Sequence, residues 1–559
     1  MKNTIRRFFL FLILLLPNIY ALFRVTDLTE SPIKAIGYLL FVLLALLLPT
    51  LILKSKTYFF FEGVMSLLLA PIELASIYLN QAATSVSFLN FIFSTNKVEL
   101  LGVVGSLWYV IIAVVILLVI YFFLASREDN TWLLPRFVRL VVLLSVNIVI
   151  AAVIAYFALY GGNSEMTSKQ KLSNAVSLTA MKFRKIFPYN IYLNAYTLYA
   201  ENKHIKQQMQ QNADFTFSIT PQEGDRELLL VLVIGETARA DHFSLNGYGR
   251  ETNPLLKLQK NVISYPNAYS QANATQMAVP HILSRITIEN NDKLYTEKTL
   301  LDAFREADYD RIWLTNKTPS AFTTSITQDC EYTFCSSQGG LSTNNNLDMK
   351  LLPELQKALA ATRNNRKFIV LHTMGSHWRY DIRYTKEFEV FTPVIDKSFS
   401  FVNISRQDVD KIVNAYDNSI LYTDYFLDSL ISALDATDKP ALLLYLSDHG
   451  ENLYDDERQL LLHGSYAGTV YEYNIPFIVW YSDEYQNQYP DKTEVLRQHR
   501  DLQFNSSVVF HTLLDAAEVR QAVNQTKSLT SPTFQQMDTM FAVTGNEQLI
   551  TTPTFPIQK

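Results

Sequence analysis

Residues 228–237 read LLLVLVIGET: seven apolar residues without a break, then a glycine, then a carboxylate. A run this short, apolar on both faces and mixing Leu with Val and Ile, fits a strand buried inside a parallel sheet. Residues 368–372 and 442–446 share the pattern, and 261–265, 311–314 and 476–480 read as further strands. A long helical pattern over 408–434 stands between two of them. Strands alternating with helical segments predict an α/β domain whose mainly parallel sheet gathers ligands at the carboxyl edge of its strands.

The residues that follow these runs carry metal-binding chemistry. Glu236 follows the first, Asp448 and His449 follow the run at 442–446, and His372 with His377 follow the run at 368–372. Carboxylate oxygen and imidazole nitrogen converging from separate strands is the donor set of zinc or a similar divalent ion. His463, followed by Gly464, reads as a loop returning to the same edge. Taken singly, a strand-end acid is more often a helix cap and a lone histidine a packed core residue. Four of the nine histidines fall on this one edge, however, while His204, His242, His281, His499 and His511 are scattered and read as structural. Thr275 is expected to open a helix, where free backbone N–H groups and the helix dipole favour an alkoxide or a phosphate. The plainer reading makes Thr275 or Asn273 an ordinary N-cap.

Upstream the chain changes character. Residues 1–160 hold 11 of the 48 Lys/Arg and 7 of the 53 Asp/Glu, which leaves 37 against 46 downstream, a net charge of −9. That balance excludes a broad basic surface for nucleic acid. Five stretches, about 8–23, 35–53, 58–79, 102–125 and 140–160, are long and apolar enough to cross a bilayer. The first resembles a signal peptide but lacks a clear small-x-small cleavage site, so a retained anchor is expected. Lys2, Arg6, Arg7, Lys54, Lys56, Arg127, Arg136 and Arg139 flank one side, against Arg24, Lys34 and Lys97 on the other. Positive flanks stay cytoplasmic, which puts the N-terminus inside and everything after Tyr160 outside. Glu73, within the third span, reads as a buried packing residue. Residues 161–222, polar but studded with aromatics and cations, suit an amphipathic linker at the headgroup layer, leaving 223–559 as the extracytoplasmic domain. Cys330 and Cys335 then lie in an oxidising compartment and are expected to form a local disulfide.

Glu236-Thr237-Ala238-Arg239-Ala240-Asp241-His242, Asn246-Gly247-Tyr248 and Thr252-Asn253-Pro254 resemble the opening motif of bacterial phosphoethanolamine transferases that modify lipid A and lipopolysaccharide core. The resemblance continues through Thr275, His372 to His377, Tyr416-Asp417-Asn418-Ser419, Asp448-His449-Gly450-Glu451 and His463-Gly464. It implies five N-terminal spans joined to a periplasmic domain of the alkaline phosphatase and sulfatase type, in a bacterial inner membrane. It makes Glu236, Thr275, Asp448 and His449 ligands of one firmly bound zinc ion, with a second as an option during turnover, and Thr275 the nucleophile. His377 and His463 become partners of the donor phosphate, a second metal or the leaving group, with His372 beside them. Thr95 and Glu99 match a lipid-donor pattern, although Phe91 stands where relatives often have Asn; Asn316 and Lys317 fall where some relatives hold the headgroup. His281 stands where many lipid A enzymes of the family have Cys after the proline, which leaves the subgroup, and with it the acceptor, open.

The implied reaction moves phosphoethanolamine from phosphatidylethanolamine to lipid A or lipopolysaccharide core through a covalent threonine intermediate. The alternatives are a phosphoglycerol transferase of the lipoteichoic-acid or glucan-modifying type, a hydrolase, and a non-catalytic membrane sensor. The eight-to-three division of flanking Lys/Arg carries a testable topology. A reporter fused after Lys559 should be active only outside the cytoplasm, and a cytoplasmic signal would reverse the orientation.

Overall fold

The computed structural model describes residues 2–25, 32–80, 82–94, 108–160, 186–221, 226–336, 347–396, 399, 404–545 and 547–554. The chain divides into two compact units, Met1–Phe91 with Leu107–Ala200, and Ile92–Ser106 with Glu201–Lys559.

The first unit is helical. Lys2–Arg24, Pro32–Leu47, Ser55–Asn80, Trp108–Ser126 and Arg136–Tyr160 are its long helices, and four of these elements contain stretches long and apolar enough to cross a membrane. The fourth span expected from sequence, 102–125, starts in residues outside the described ones, as does most of the linker that begins at 161. Glu128 accepts Arg6 at 2.8 Å and Arg7 at 2.6 Å, while Ser55 Oγ donates to the Asp129 carbonyl. One end of the bundle thus ties the starts of the first and third helices to the loop that follows Ser126. Glu73 is buried and accepts Asn190 Nδ2 at 2.7 Å and the Thr84 N–H at 3.2 Å. Asn18 trades both its amide groups with the backbone of Phe187, at 3.0 and 3.1 Å. Away from water every such polar group needs a partner, so these contacts fit a packing role for Glu73.

The second unit is built on seven strands: β1 (Leu228–Gly235), β2 (Val262–Tyr265), β3 (Asp310–Thr315), β4 (Tyr332–Cys335), β5 (Arg366–His372), β6 (Ala441–Ser447) and β7 (Phe477–Tyr481). Their order is β2-β7-β6-β1-β5-β3-β4, with only β7 antiparallel to its neighbours. β1 lies at the centre with Val231 between Ile369 of β5 and Leu443 of β6, and all eight of its residues are buried. Side chains alternate across the sheet, so Leu228, Leu230, Leu232 and Ile234 share one core layer with Val279, Ile282, Leu300, Phe304 and Leu513. The long helix Arg406–Asp435, opened by a Ser405–Asp408 capping box, matches the pattern at 408–434.

The expected disulfide is not formed between Cys330 and Cys335. Cys335 ends β4, whose three strand steps alone span about 10 Å, beyond the roughly 7 Å that a disulfide tolerates between α-carbons. Cys330 packs against the core, whereas Cys335 Sγ donates to the Lys317 carbonyl at 3.5 Å. Burial pushes the Cys330 thiol up to about 12. Protein purified without reductant should therefore show two free thiols by mass spectrometry after alkylation in denaturant. Cys330 should stay unmodified until the chain unfolds; a mass two protons lighter, with no alkylation, would restore the disulfide.

Candidate metal centre

The strand ends of β1 and β6 are stitched together by main chain. The Asp448 N–H donates to the Gly235 carbonyl at 3.1 Å, and the Thr237 N–H donates to Asp448 Oδ1 at 3.2 Å. Glu236, Asp448 and His449 are all fully buried at this edge. The loop after β5 lies flat on Glu236: the Ser376 N–H donates to the Glu236 carbonyl at 3.0 Å, and Gly375 has φ +45°. A Cβ on Gly375 would come within 2.8 Å of that carbonyl, so only glycine fits here. Asp348 holds the same loop from behind, accepting the N–H groups of Met374 and Gly375 at 2.8 and 2.9 Å.

Thr275 is the first residue of the helix Thr275–Ile282, whose N-cap is Ala274, a side chain that cannot cap. Its hydroxyl turns instead to Glu236, 3.2 Å from each carboxylate oxygen, and lies 3.3 Å from His449 Nε2. Asn273 is engaged elsewhere, its amide donating to the Ser465 carbonyl and to Glu472. His449 Nδ1 donates to the Gly450 carbonyl at 2.8 Å, which leaves Nε2 facing Glu236 Oε1 at 3.4 Å and Asp448 Oδ2 at 3.5 Å. Asp448 Oδ2 is buried without a hydrogen-bond partner. Oxygen and nitrogen ligands about 2.0–2.1 Å from a tetrahedral zinc stand roughly 3.3–3.4 Å from one another. The observed separations of 3.2–3.5 Å, and the orphaned carboxylate oxygen, fit such an ion. His463 stands at the rim: Glu236, His449 and His463 offer ligand atoms within 4.8 Å of one another, a looser grouping.

The electrostatics follow from burying two carboxylates side by side. Burial raises the Asp448 carboxyl, and Glu236 beside it raises it further. Glu236 meets the same burial cost, but Lys317, His449 and His377 hold it well below the usual carboxylate range. Lys317 Nζ is hydrogen-bonded to Glu236 Oε2. Burial alone would lower His449, but Asp448 and Glu236 outweigh it and push the imidazole up to about 9.

The other expected residues separate into two groups. His463 and His377 face each other with ring centroids 6.2 Å apart, and His463 lies 4.2 Å from the His449 ring. His463 Nδ1 is 3.4 Å from Glu451 Oε2. His372, by contrast, is packed inward with its ring 6.0 Å from Trp313, and burial pulls it down to about 3. Asn316 is buried too, donating to Asp348 and accepting from Ser336, so any part it plays runs through the loop it anchors. Thr95 and Glu99 lie outside the described residues. The sequence reading assigned no role to Asp348, Glu451 or Glu472, all buried acids of this edge. For Glu472 a signal was available: Thr469-x-x-Glu472 is a capping box.

Residues 229–519 match the family model described as Sulfatase. Phosphoethanolamine transferase EptA of Salmonella typhimurium is 32% identical over 312 residues, which is 54% of this chain and 55% of that protein. Phosphoethanolamine transferase EptC of Escherichia coli is 28% identical over 325 residues, 56% of this chain and 55% of that protein. The chain spans about half the length of the curated relatives it matches. Among solved structures, the zinc complex of the C-terminal periplasmic domain of EptC from Escherichia coli superposes with a TM-score of 0.55 at 26% identity, covering 61% of this chain and 96% of that one. The integral membrane phosphoethanolamine transferase EptA from Neisseria meningitidis shares the fold over 83% of this chain and 85% of its own, with a TM-score of 0.62 at 22% identity. Apolar N-terminal helices followed by this α/β sheet, with the family model covering β1 through the helix Val508–Ala516, establish that the chain belongs to the sulfatase family.

Proposed function

We propose that the protein transfers phosphoethanolamine from phosphatidylethanolamine to lipid A or lipopolysaccharide core, using zinc and a covalent intermediate on Thr275. The observation that carries this reading is the close grouping of Thr275 Oγ1 with Glu236, His449 and Asp448 at 3.2–3.5 Å. Relatives named phosphoethanolamine transferases favour the ethanolamine headgroup over glycerol. Glu236, Thr275, Asp448 and His449 would hold the zinc ion, which supplies Lewis-acid stabilisation of the alkoxide and of the phosphodiester charge.

This chain's own groups account for the proton and bond changes. Thr275 Oγ1 gives up its proton to water and bonds to phosphorus as the bond to the diacylglycerol oxygen breaks. His463 or His377, the two imidazoles at the rim of the site, donates the proton that this leaving oxygen needs. In the return step an acceptor hydroxyl or phosphate oxygen attacks phosphorus, its proton passes to the same imidazole, and the bond to Thr275 breaks as Thr275 Oγ1 takes a proton back from water. Lys317, hydrogen-bonded to Glu236 beside the site, would meet a phosphate oxygen of the donor. In this reading residues 1–160 form the inner-membrane domain with a cytoplasmic N-terminus, 161–222 the linker and 223–559 the periplasmic catalytic domain. Both lipids then present headgroups on the side where the site works.

Thr275→Ala should fold, change stability by less than about 1 kcal/mol because the hydroxyl caps nothing, and lose transfer. Wild-type protein given phosphatidylethanolamine without acceptor should accumulate an adduct that peptide mass mapping places on Thr275. An active Thr275→Ala enzyme, or an adduct elsewhere, would remove the covalent step. Mass spectrometry of envelope lipids with and without the gene should show added phosphoethanolamine, and no difference would sink the substrate assignment.

Metal affinity should depend on pH in a defined direction. His449, raised to about 9, carries a proton at neutral pH in the metal-free protein and must release it to bind zinc. Affinity should rise roughly tenfold per pH unit below 8 and level off near 9, read by competition with a chelator whose own pH dependence is known. Asp448→Ala should abolish tight binding at every pH, and a pH-independent wild-type affinity would count against His449 as a ligand.

A further inference from the structure

The three loops that meet at the metal centre come from distant parts of the chain: the segment before Thr275, the turn at His449 and Gly450, and the loop after His463. One buried side chain touches the first and third, and its backbone holds the second. Glu472 is fully buried, and both oxygens of its carboxylate are saturated by neutral donors. Oε1 accepts Asn273 Nδ2 at 3.0 Å and the Ser465 N–H at 2.8 Å. Oε2 accepts the Thr469 N–H at 3.0 Å and the Ser465 hydroxyl. The Glu472 carbonyl accepts the Gly450 N–H at 2.7 Å. A Cβ on Gly450 would sit 2.1 Å from the Tyr471 carbonyl, so this approach is as close as the backbone allows.

The two outer loops are also joined directly. The Gly464 N–H donates to the Asn273 carbonyl at 3.0 Å, and Asn273 Nδ2 reaches the Ser465 carbonyl at 2.9 Å. Asn273 is two residues before Thr275, Ser465 is two residues after His463, and Gly450 follows His449. A capping box needs only the Thr469 contact. The Asn273 and Ser465 contacts go beyond it, and they connect the nucleophile's loop to the loop of the candidate proton donor.

We propose that Glu472 is a positioning residue that sets the separation of Thr275 from His463, and so the geometry in which the leaving oxygen is protonated. The role rests on the transfer reaction proposed above. Glu472 touches neither donor nor acceptor and acts through Asn273 and Ser465. Its carboxylate suits the task because every partner donates: an amide in its place turns an N–H group toward at least one backbone N–H whichever way it flips. Volume is unchanged while at least one contact becomes repulsive.

The test compares the full chain with Glu472→Gln, Asn273→Ala and Asp515→Asn. Asp515 is a buried acid hub of the same kind, bonded to Ser528, Thr530 and Lys492, that the reaction does not use. Glu472→Gln should lower kcat roughly 10- to 100-fold, as a displacement of about 1 Å does, with KM for the lipid donor within about twofold. Asn273→Ala should show the same split more mildly, and it carries the comparison if Glu472→Gln does not fold. The limb of the pH–rate profile lost in His463→Gln should shift in both variants and stay in place in Asp515→Asn. Folded Glu472→Gln with wild-type kcat and pH profile, or an equal kcat loss in Asp515→Asn, would overturn the proposal. If wild-type protein transfers nothing, the reaction reading fails by itself. The His463 signals in nitrogen-15 histidine spectra then decide: moved by Glu472→Gln and Asn273→Ala they keep the positioning role, unmoved they remove it.

Discussion

Two carboxylates, Glu236 and Asp448, are buried within reach of one imidazole, and the rest of the α/β unit is arranged around their mutual repulsion. Each lies directly after a strand buried on both faces, so neither can turn to water. The positive charge that makes the pair tolerable comes from Lys317 and His449, and a divalent ion would supply it more compactly. The adjacent strand positions of β1 and β6 are therefore more than a folding convenience. They hold two like charges at a separation that only a cation makes favourable, and the flat loop closed by Gly375 seals water from one side.

Around this pair the fold separates holding from acting. The groups proposed to touch a substrate, Thr275, His377 and His463, are half-buried and lie on a helix start and on loops. The groups that hold them are buried acids: Asp348 under the loop of His377, Glu451 beside His463, Glu472 between the loops of Thr275 and His463. Most of their partners are main-chain N–H groups or small neutral side chains, so the loops are pinned by many ordinary hydrogen bonds. This is how a loop gains the precision of a strand.

How much of this the chain announces depends on the kind of signal. The strands were legible because burial on both faces leaves unbroken apolar runs, and all six expected from sequence form within a residue or two of their expected bounds. That Glu236, Asp448 and His449 lie together was legible because the carboxyl ends of adjacent parallel strands meet at one edge. His372 was not, since a histidine at a strand end looks the same whether its ring turns outward or back onto Trp313. The cysteine pair misled because spacing along the chain hides strand geometry: four intervening residues seem close until β4 is extended. Glu472 looks like any capping-box acid, and its contacts with Asn273 and Ser465 arise only when loops some 200 residues apart in sequence fold together.

The polar contacts inside the helical unit bear on the order in which the chain can be made. Glu73 and its partner Asn190 are 117 residues apart, so at about 5–20 residues per second the ribosome delivers the second roughly 6–23 s after the first. Asn18 waits longer still for Phe187. During that interval a carboxylate and an amide already committed to the bilayer have no finished pocket. The helices before residue 186 cannot reach their final packing as they are inserted, and the segment from Ile186 to Asn194 acts as a late keystone. Truncated nascent chains ending before it should be the ones that membrane quality control removes.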